Sequence, residues 1–351
     1  MYPKNIIKLV RRTALSRALT YCHVTGASNI IKNKFGGIGS ILMFHSVVKN
    51  LDQELGQDIH VEDNMLRSIV KYLQKNNREI ITLDQAVDRV FSPQVCPFVV
   101  LTFDDGYKNN LTCALPILEE LNAPFTIFVN SAMVNGELNA WWLGLRNLIL
   151  THDKVRIESM NCQFNVKTLA EKRIALFQIT NWVHEDISTH SQQLNCLFKK
   201  FKIDITSIVQ EEALSANDLR LLSNHPLVSI GGHADSHVPL NTLSRVKALG
   251  ELTQNKNMLE DIINTEVRHL AYPFGSRSTV GIRETQLAKE AGFKTAVTTR
   301  TGNIFKEHAD LLFTLPRLAI VNHNRISEVA AKLAGTENFI RHPFTKPVVS
   351  I

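Results

Sequence analysis

The chain has 351 residues, of which 44% are hydrophobic and 21% are charged, as in globular proteins that bury a sizeable core. Residues 1–51 contain eight Lys or Arg and no Asp or Glu, so the remainder is nearly neutral. A neutral body argues against a nucleic-acid enzyme with a basic channel, and no apolar run has the length of a transmembrane helix.

The basic charge is concentrated in an N-terminal segment, residues 1–36, where residues 4–25 are predicted to form a helix. This segment lacks the apolar core and cleavage site of a secretory signal. Five cysteines without a CxxC spacing favour reduced thiols and a cytoplasmic location. The basic helix leaves open a peripheral contact with anionic lipid at the inner face of the membrane. The oligomeric state is not indicated.

After residue 37 short apolar runs alternate with helical patterns. In chain order these patterns predict strands at 40–48, 80–83, 98–101, 124–129, 227–230, 268–272, 293–297 and 312–320, and helices at 62–75, 84–90, 109–121, 244–263, 283–291 and 326–333. Asp84 and Ser215 are the predicted caps of the helices that follow them. Strands that alternate with helices imply a parallel sheet or a barrel with right-handed crossovers.

The alternation breaks at about residues 136–214, which contain all three tryptophans and long helical patterns. We interpret this stretch as a helical insertion within one domain, residues 37–335, followed by a C-terminal tail, residues 336–351. Exposed aromatics in the insertion would stack on sugar rings, whereas buried ones would form its core.

The strand at residues 98–101 leads into two adjacent carboxylates, Asp104 and Asp105, and then Gly106. Because neighbouring side chains at a strand end point in different directions, one Asp can face a metal while the other faces a substrate or a water. Buried carboxylates are costly unless a cation or hydrogen-bond donors hold them. A simple Asp-Asp-Gly turn is the alternative.

A second strand, residues 227–230, leads into the sequence GGHADSH, which contains His233 and His237. On one helical turn, histidines four residues apart face the same side. Two histidines and a carboxylate form a common ligand set for a catalytic divalent metal. Two loop histidines without a ligand are the alternative.

The motifs TFDDGY, GGHADSH and AYPFG, in this order, resemble those of the polysaccharide deacetylase superfamily, carbohydrate esterase family four. The segments LMFHSVV and LPRLAI are similar to a bacterial subgroup that acts on exopolysaccharides or surface glycans. The resemblance implies an α/β fold, a distorted (β/α)7-type barrel, with the insertion between the strand after the Asp pair and the strand before the His pair. It also implies that Asp104 is the general base and that Asp105, His233 and His237 bind the metal.

The remaining site residues follow from the same resemblance. The turn Tyr272-Pro273-Phe274-Gly275 would contact substrate, and the family's oxyanion donor matches the backbone N–H of Phe274. Two positions depart from the family. Ala271 stands where many members carry an Arg that orients the base, and Arg317 is the predicted substitute. The usual catalytic acid on the last strand is missing, and either His45 or His323 could protonate the leaving amine.

The sequence therefore predicts a metal-dependent hydrolase that removes N-acetyl groups from N-acetylhexosamine units of a bacterial surface polysaccharide or its precursor. Zinc is the expected metal, and the ligand set also accepts cobalt, nickel or manganese. The alternatives are a glycan-binding protein that has lost turnover, and an O-deacetylase or other amidase on the same scaffold. The expected partner is an N-acetylated glycan, not a nucleic acid.

Overall fold

A computed structural model describes residues 3–53, 55, 58–93, 96–321 and 323–350, with side chains from residue 10 onward. The helices are α1 (Pro3–Val24), α2 (Ala27–Phe35), α3 (Asp63–Lys75), α4 (Leu83–Phe91), α5 (Leu115–Glu120), α6 (Ser131–Val134), α7 (Trp141–Thr151), α8 (Leu169–Val183), α9 (Ile187–Lys200), α10 (Ile205–Glu212), α11 (Ala216–Ser223), α12 (Arg245–Ile263), α13 (Ile282–Glu290), α14 (Ile326–Leu333) and α15 (Thr336–Arg341). The strands are β1 (Gly39–Phe44), β2 (Ser46–Val48), β3 (His60–Glu62), β4 (Glu79–Ile80), β5 (Phe98–Phe103), β6 (Phe125–Val129), β7 (Lys154–Ile157), β8 (Cys162–Asn165), β9 (Val228–Gly232), β10 (His269–Ala271), β11 (Thr295–Thr301) and β12 (Leu315–Ala319).

Seven parallel strands close into a barrel, in the order β1-β5-β6-β9-β10-β11-β12 and back to β1. The short strand β4 pairs with the first two residues of β5. Every residue of β1 and β5 is buried, because parallel strands covered by helices are buried on both faces. The predicted (β/α)7-type barrel is confirmed.

The predicted first strand, residues 40–48, is interrupted at His45. After this break, β2 leaves the barrel and pairs with β3 in a separate sheet. The Asn110 side chain donates to the His45 carbonyl (2.7 Å), and the Asn109 side chain bonds the backbone N–H of Val47 and the hydroxyl of Ser46. These side-chain bonds replace a regular ladder and place His45 at the end of a barrel strand.

Local capping differs from the prediction at one helix. Thr82, not Asp84, caps α4: its hydroxyl accepts from the Gln85 N–H, and the Gln85 side chain accepts from the Thr82 N–H. This reciprocal pair satisfies two otherwise free donors, which an Asp inside the first turn cannot do. The predicted Ser215 cap of α11 is confirmed, with Asp218 completing the same motif.

The insertion lies between β6 and β9 and has a hydrophobic core of its own that includes Trp141, Ile149 and Ile179. Besides α7–α10 it contains an antiparallel hairpin, β7 and β8, that the helical interpretation missed. The alternation of exposed and buried residues in Lys154–Ile157 is the strand signal, and Asn161, at φ 46°, supplies the left-handed residue of the turn.

The basic N-terminal helix α1 packs against α14, and α2 packs against α15. Leu19 is buried in this interface, and the Ser16 hydroxyl donates to Glu328 (2.8 Å). The segment expected as a C-terminal tail thus begins with a packed helix. Within the described ranges, no helix is both long and apolar enough to cross a membrane.

The packing of α1 predicts a stability effect. Leu19 is 2% exposed and Leu221 is 62% exposed, so Leu19→Ala removes buried contacts and Leu221→Ala does not. We expect Leu19→Ala to lower the free energy of unfolding by about 2–4 kcal/mol in urea denaturation. The matched control, Leu221→Ala, should change it by less than about 0.5 kcal/mol. Equal effects of the two substitutions would show that α1 does not pack on the barrel in solution.

Candidate active site

The polar motifs meet at the carboxyl ends of the barrel strands, around a cavity of about 1550 Å³. Asp104 and Asp105 follow β5, His233 follows β9, the Tyr272–Gly275 turn follows β10, and Arg317 lies on β12. Side chains from separate strands converge at this end of a parallel barrel because all the strands point the same way.

Asp105, His233 and His237 form a group that could hold a metal ion. Asp105 Oδ1 lies 3.3 Å from Nε2 of His233 and 3.3 Å from Nε2 of His237. The same oxygen is buried and has no hydrogen-bond partner among the described residues. His233 Nδ1 lies 2.6 Å from the Ala271 carbonyl, which directs Nε2 towards Asp105 as in metal-ligating histidines. A divalent cation fits this donor set.

The electrostatics of these groups agree with metal binding. Burial lowers the pKa of His237 to about 4, despite the nearby Asp105 carboxylate, so its imidazole is neutral and its nitrogen lone pair is available. Burial alone would raise the pKa of Asp105, but the imidazoles of His233, His237 and His45 around it hold the pKa below its usual value. Asp105 is therefore ionised and is available as a metal ligand.

The prediction that the two histidines share a helical turn is wrong. Residues 233–239 form an irregular loop in which Ala234 and His237 have left-handed φ values of 59° and 53°. The backbone N–H groups of Asp235 and Ser236 donate to the Glu251 carboxylate on α12 (3.1 and 2.8 Å). These donors are therefore not used in helical bonds, and the loop geometry brings both imidazoles to Asp105.

Asp104 forms a buried, bidentate ion pair with Arg317. Nη1 donates to Oδ1 (2.7 Å) and Nη2 to Oδ2 (2.6 Å), while Nε of Arg317 donates to the Thr298 carbonyl (3.0 Å). Burial would raise the pKa of Asp104, but the charge and hydrogen bonds of Arg317 outweigh it and lower the pKa. Each carboxylate oxygen retains a second lone-pair site. Asp104 is thus an oriented, ionised acceptor beside the candidate metal ligands.

The Tyr272–Gly275 turn is strained and faces the cavity. Phe274 has φ 61° and Gly275 has φ 53°, and a Cβ on Gly275 would lie 2.8 Å from the Thr299 amide nitrogen. The Phe274 ring centroid lies 5.3 Å from that of His237. In the described part of the chain, the Phe274 N–H has no acceptor. Tyr272 and Pro273 are buried, and the Tyr272 hydroxyl donates to the Phe313 carbonyl (3.1 Å).

The two candidate acid histidines occupy different parts of the cavity. His45 is close enough to influence the pKa values of Asp104, Asp105 and His237. His323 lies at the exposed rim, where Arg12 Nε donates to its Nε2 (3.0 Å) and Asp58 also pairs with Arg12. Of the two histidines, His45 therefore lies deeper in the cavity.

Several cavity residues were not identified as site residues from the sequence. From the insertion, Trp142 lies with its ring 5.7 Å from His237 and donates through its indole N–H to the Tyr107 hydroxyl (2.7 Å). From α1, Arg11 and Arg12 line the mouth. The paired tryptophans were a visible signal, whereas nothing local in α1 indicates that it borders the site.

Barrel and site together define a class, the carbohydrate deacetylases of this fold. The sequence matches the polysaccharide deacetylase family over residues 92–193 and 146–296, which together cover more than half of the chain. The chain belongs to the polysaccharide deacetylase family, whose members are hydrolases that act on carbon–nitrogen bonds of carbohydrates.

Solved structures show the same fold. The Streptococcus pyogenes deacetylase PplD, in complex with acetate, is 15% identical with a TM-score of 0.57, over 84% of this chain and 97% of that chain. A de-N-acetylase from Aggregatibacter actinomycetemcomitans is 15% identical with a TM-score of 0.55, over 84% and 99%. IcaB from Ammonifex degensii is 15% identical with a TM-score of 0.54, over 84% and 97%. No curated protein matches the chain.

The donor set predicts stoichiometric metal binding. We expect the purified protein to bind one equivalent of Zn²⁺. Losing the hydrogen-bond partner of a ligand weakens metal binding roughly 10–100-fold. Asp105→Ala and His237→Ala each remove a candidate ligand itself, so each should weaken Zn²⁺ binding by more than that. Inductively coupled plasma mass spectrometry after dialysis, with isothermal titration, measures this. His323→Ala is the matched control and should bind Zn²⁺ as the parent does. Full metal content in Asp105→Ala would contradict the assignment.

Proposed function

We propose that the protein is a metal-dependent hydrolase that removes N-acetyl groups from N-acetylhexosamine units of a bacterial surface polysaccharide or its precursor. The observation that carries the proposal is the Asp104–Arg317 pair beside the group of Asp105, His233 and His237. Arg317 orients Asp104 and keeps it away from the candidate metal site, whereas Asp105 is one of the candidate ligands. The similarity to a de-N-acetylase and to polysaccharide deacetylases supports an N-acetylated glycan as substrate.

Asp104 acts as the general base in this proposal. A bound divalent metal would polarise the amide carbonyl and acidify a water molecule. Asp104 accepts the proton of that water at the lone-pair site that Arg317 leaves open. Arg317 holds the plane of the carboxylate and keeps it ionised, because a bidentate guanidinium pair fixes direction as well as charge. Arg317 thereby fills the positioning role expected from the sequence.

Negative charge develops on the carbonyl oxygen as water attacks the amide carbon. The Phe274 N–H, which has no acceptor in the described structure, is available to donate to that oxygen. The left-handed backbone at Phe274 and the buried Pro273 before it hold this N–H in place without any rearrangement. Tyr272 supports the turn from below through its bond to Phe313.

His45 is the better placed proton donor for the leaving amine. It lies near both carboxylates at the base of the cavity, and His323 is engaged by Arg12 at the rim. Trp142 and Trp141 line the same cavity and offer apolar faces on which a sugar ring can pack.

Replacing the base tests the reaction directly. We expect Asp104→Asn to lower the rate of acetate release from N-acetylglucosamine oligomers by about 10²–10⁴-fold, because the amide cannot accept a proton. Zn²⁺ content should be unchanged, and a chelator should abolish activity of the parent. Full activity in Asp104→Asn would overturn the role of Asp104. No acetate release from the parent on any glycan would favour the glycan-binding alternative, and release from O-acetylated glycans alone would favour the O-deacetylase.

A pair of histidine variants identifies the acid. We expect His45→Ala to lower kcat by about 10²-fold, since proton donation by a positioned side chain contributes on this scale. His323→Ala should stay within about twofold of the parent, because Arg12 and Asp58 hold it at the rim. The measurement is initial rates of acetate release at saturating substrate. The reverse ranking would assign the proton donor to His323.

A further inference from the structure

A second cavity, of about 180 Å³, lies beside the catalytic one. It is lined by Arg277, Arg300, Arg341 and His342, together with Ser276 and Thr299. None of the described residues that line it is acidic. Among the described residues, the lining thus combines three guanidinium groups with no carboxylate, whereas buried charges in proteins are usually paired.

Arg300, on β11, is the centre of this cavity. It is 5% exposed, and its Nη2 donates to the Val280 carbonyl. Its Nε and Nη1 are buried and have no hydrogen-bond partner among the described residues. Leaving the donors of a charged group unsatisfied costs more free energy than leaving those of a neutral group unsatisfied. Burial and the nearby charge of Arg277 lower the pKa of Arg300.

The other two arginines complete a basic pocket. Arg341 bonds Glu337 Oε1 through Nε and Nη2 (3.0 and 2.7 Å), so its charge is balanced. Arg277 is exposed and forms no ion pair within the described structure. The pocket therefore holds two uncompensated positive charges, Arg277 and Arg300, with the Ser276 and Thr299 hydroxyls close by.

The small cavity adjoins the candidate active-site cavity. Thr299 and Arg341 line both. The Thr299 hydroxyl donates to the Phe274 carbonyl (2.7 Å), and its N–H donates to the Gly275 carbonyl (3.0 Å). The wall between the two cavities is thus the turn that presents the Phe274 N–H. A ligand in the small cavity would lie directly behind the proposed oxyanion donor.

We propose that the small cavity is an anion subsite that holds an acidic group of the glycan, a phosphate or a carboxylate, while an N-acetyl group of the same substrate lies at Asp104 and Asp105. Guanidinium groups match both oxyanions in geometry. The cavity has roughly six times the volume of one water in the liquid, which suits a single substituent. The identity of the ligand as part of a glycan rests on the proposed function, and the anion subsite does not.

Binding measurements test the subsite without turnover. Inorganic phosphate and glucuronate are titrated by calorimetry into the full chain and into Arg277→Gln, Arg300→Lys and Arg156→Gln. We expect the first two variants to bind at least about 10-fold more weakly, because each loses charge-assisted hydrogen bonds. Arg156→Gln removes an equal charge from the exposed hairpin and should bind as the parent does. Arg300→Lys keeps the buried charge, and circular dichroism checks its folding. Equal binding by Arg277→Gln and Arg156→Gln would overturn the subsite, as would no binding by the parent.

Turnover measurements test the link to the substrate. We measure kcat/KM for N-acetylated oligomers that carry a phosphate or a uronate and divide it by kcat/KM for neutral oligomers. This ratio is then compared between the parent and Arg277→Gln. We expect the ratio to fall at least about 10-fold for one of the two acidic series, which identifies the anion, with neutral oligomers unaffected. An unchanged ratio in both series would overturn the substrate assignment. If the parent released no acetate from any oligomer, the proposed function would fail and the substrate assignment with it, while the binding result would still decide the subsite.

Discussion

The buried ion pair between Asp104 and Arg317 is the interaction on which the site depends. Two neighbouring carboxylates at the end of a buried strand would repel each other and would be costly to desolvate. The barrel resolves this by giving each carboxylate its own partners. Arg317 reaches Asp104 from β12, and the imidazoles of His233 and His237 face Asp105. Breaking such a buried pair leaves an uncompensated charge, which costs far more than the pair contributes.

The division of roles between the two carboxylates follows from backbone direction. Asp105 has φ 76°, a left-handed value that few residues with a side chain adopt. His237 and Phe274 are left-handed as well, so a candidate metal ligand on the His loop and the proposed oxyanion donor share this feature with Asp105. Backbone strain of this kind persists only where the surrounding structure enforces it. Here the closed barrel and the bonds from Glu251 and Thr299 do so.

The elements outside the barrel give the cavity its shape and charge. The insertion supplies an aromatic wall with Trp142, and α1 and α15 bring arginines to the rim. Carboxylates and imidazoles therefore line the base of the cavity, and guanidinium groups line its mouth. The uncompensated Arg277 and Arg300 continue this positive charge behind the Tyr272–Gly275 turn. In the proposed function the barrel carries the reacting groups, and in the proposed subsite this outer layer selects the substrate.

The sequence by itself determined the features that depend on local pattern. The spacing of hydrophobic residues predicted the barrel strands and helix α14 at residues 326–333. The motifs at the strand ends predicted that Asp104, Asp105, His233 and His237 form one group. The sequence also pointed to Arg317, which contacts Asp104 across 213 residues of chain. Only the tertiary structure decided that His237 is left-handed, that His45 lies deeper than His323, and that Arg277 and Arg300 share a cavity. These features depend on contacts between elements that are far apart in the sequence and come together when the barrel closes. Such contacts cannot be predicted from the local spacing of hydrophobic residues.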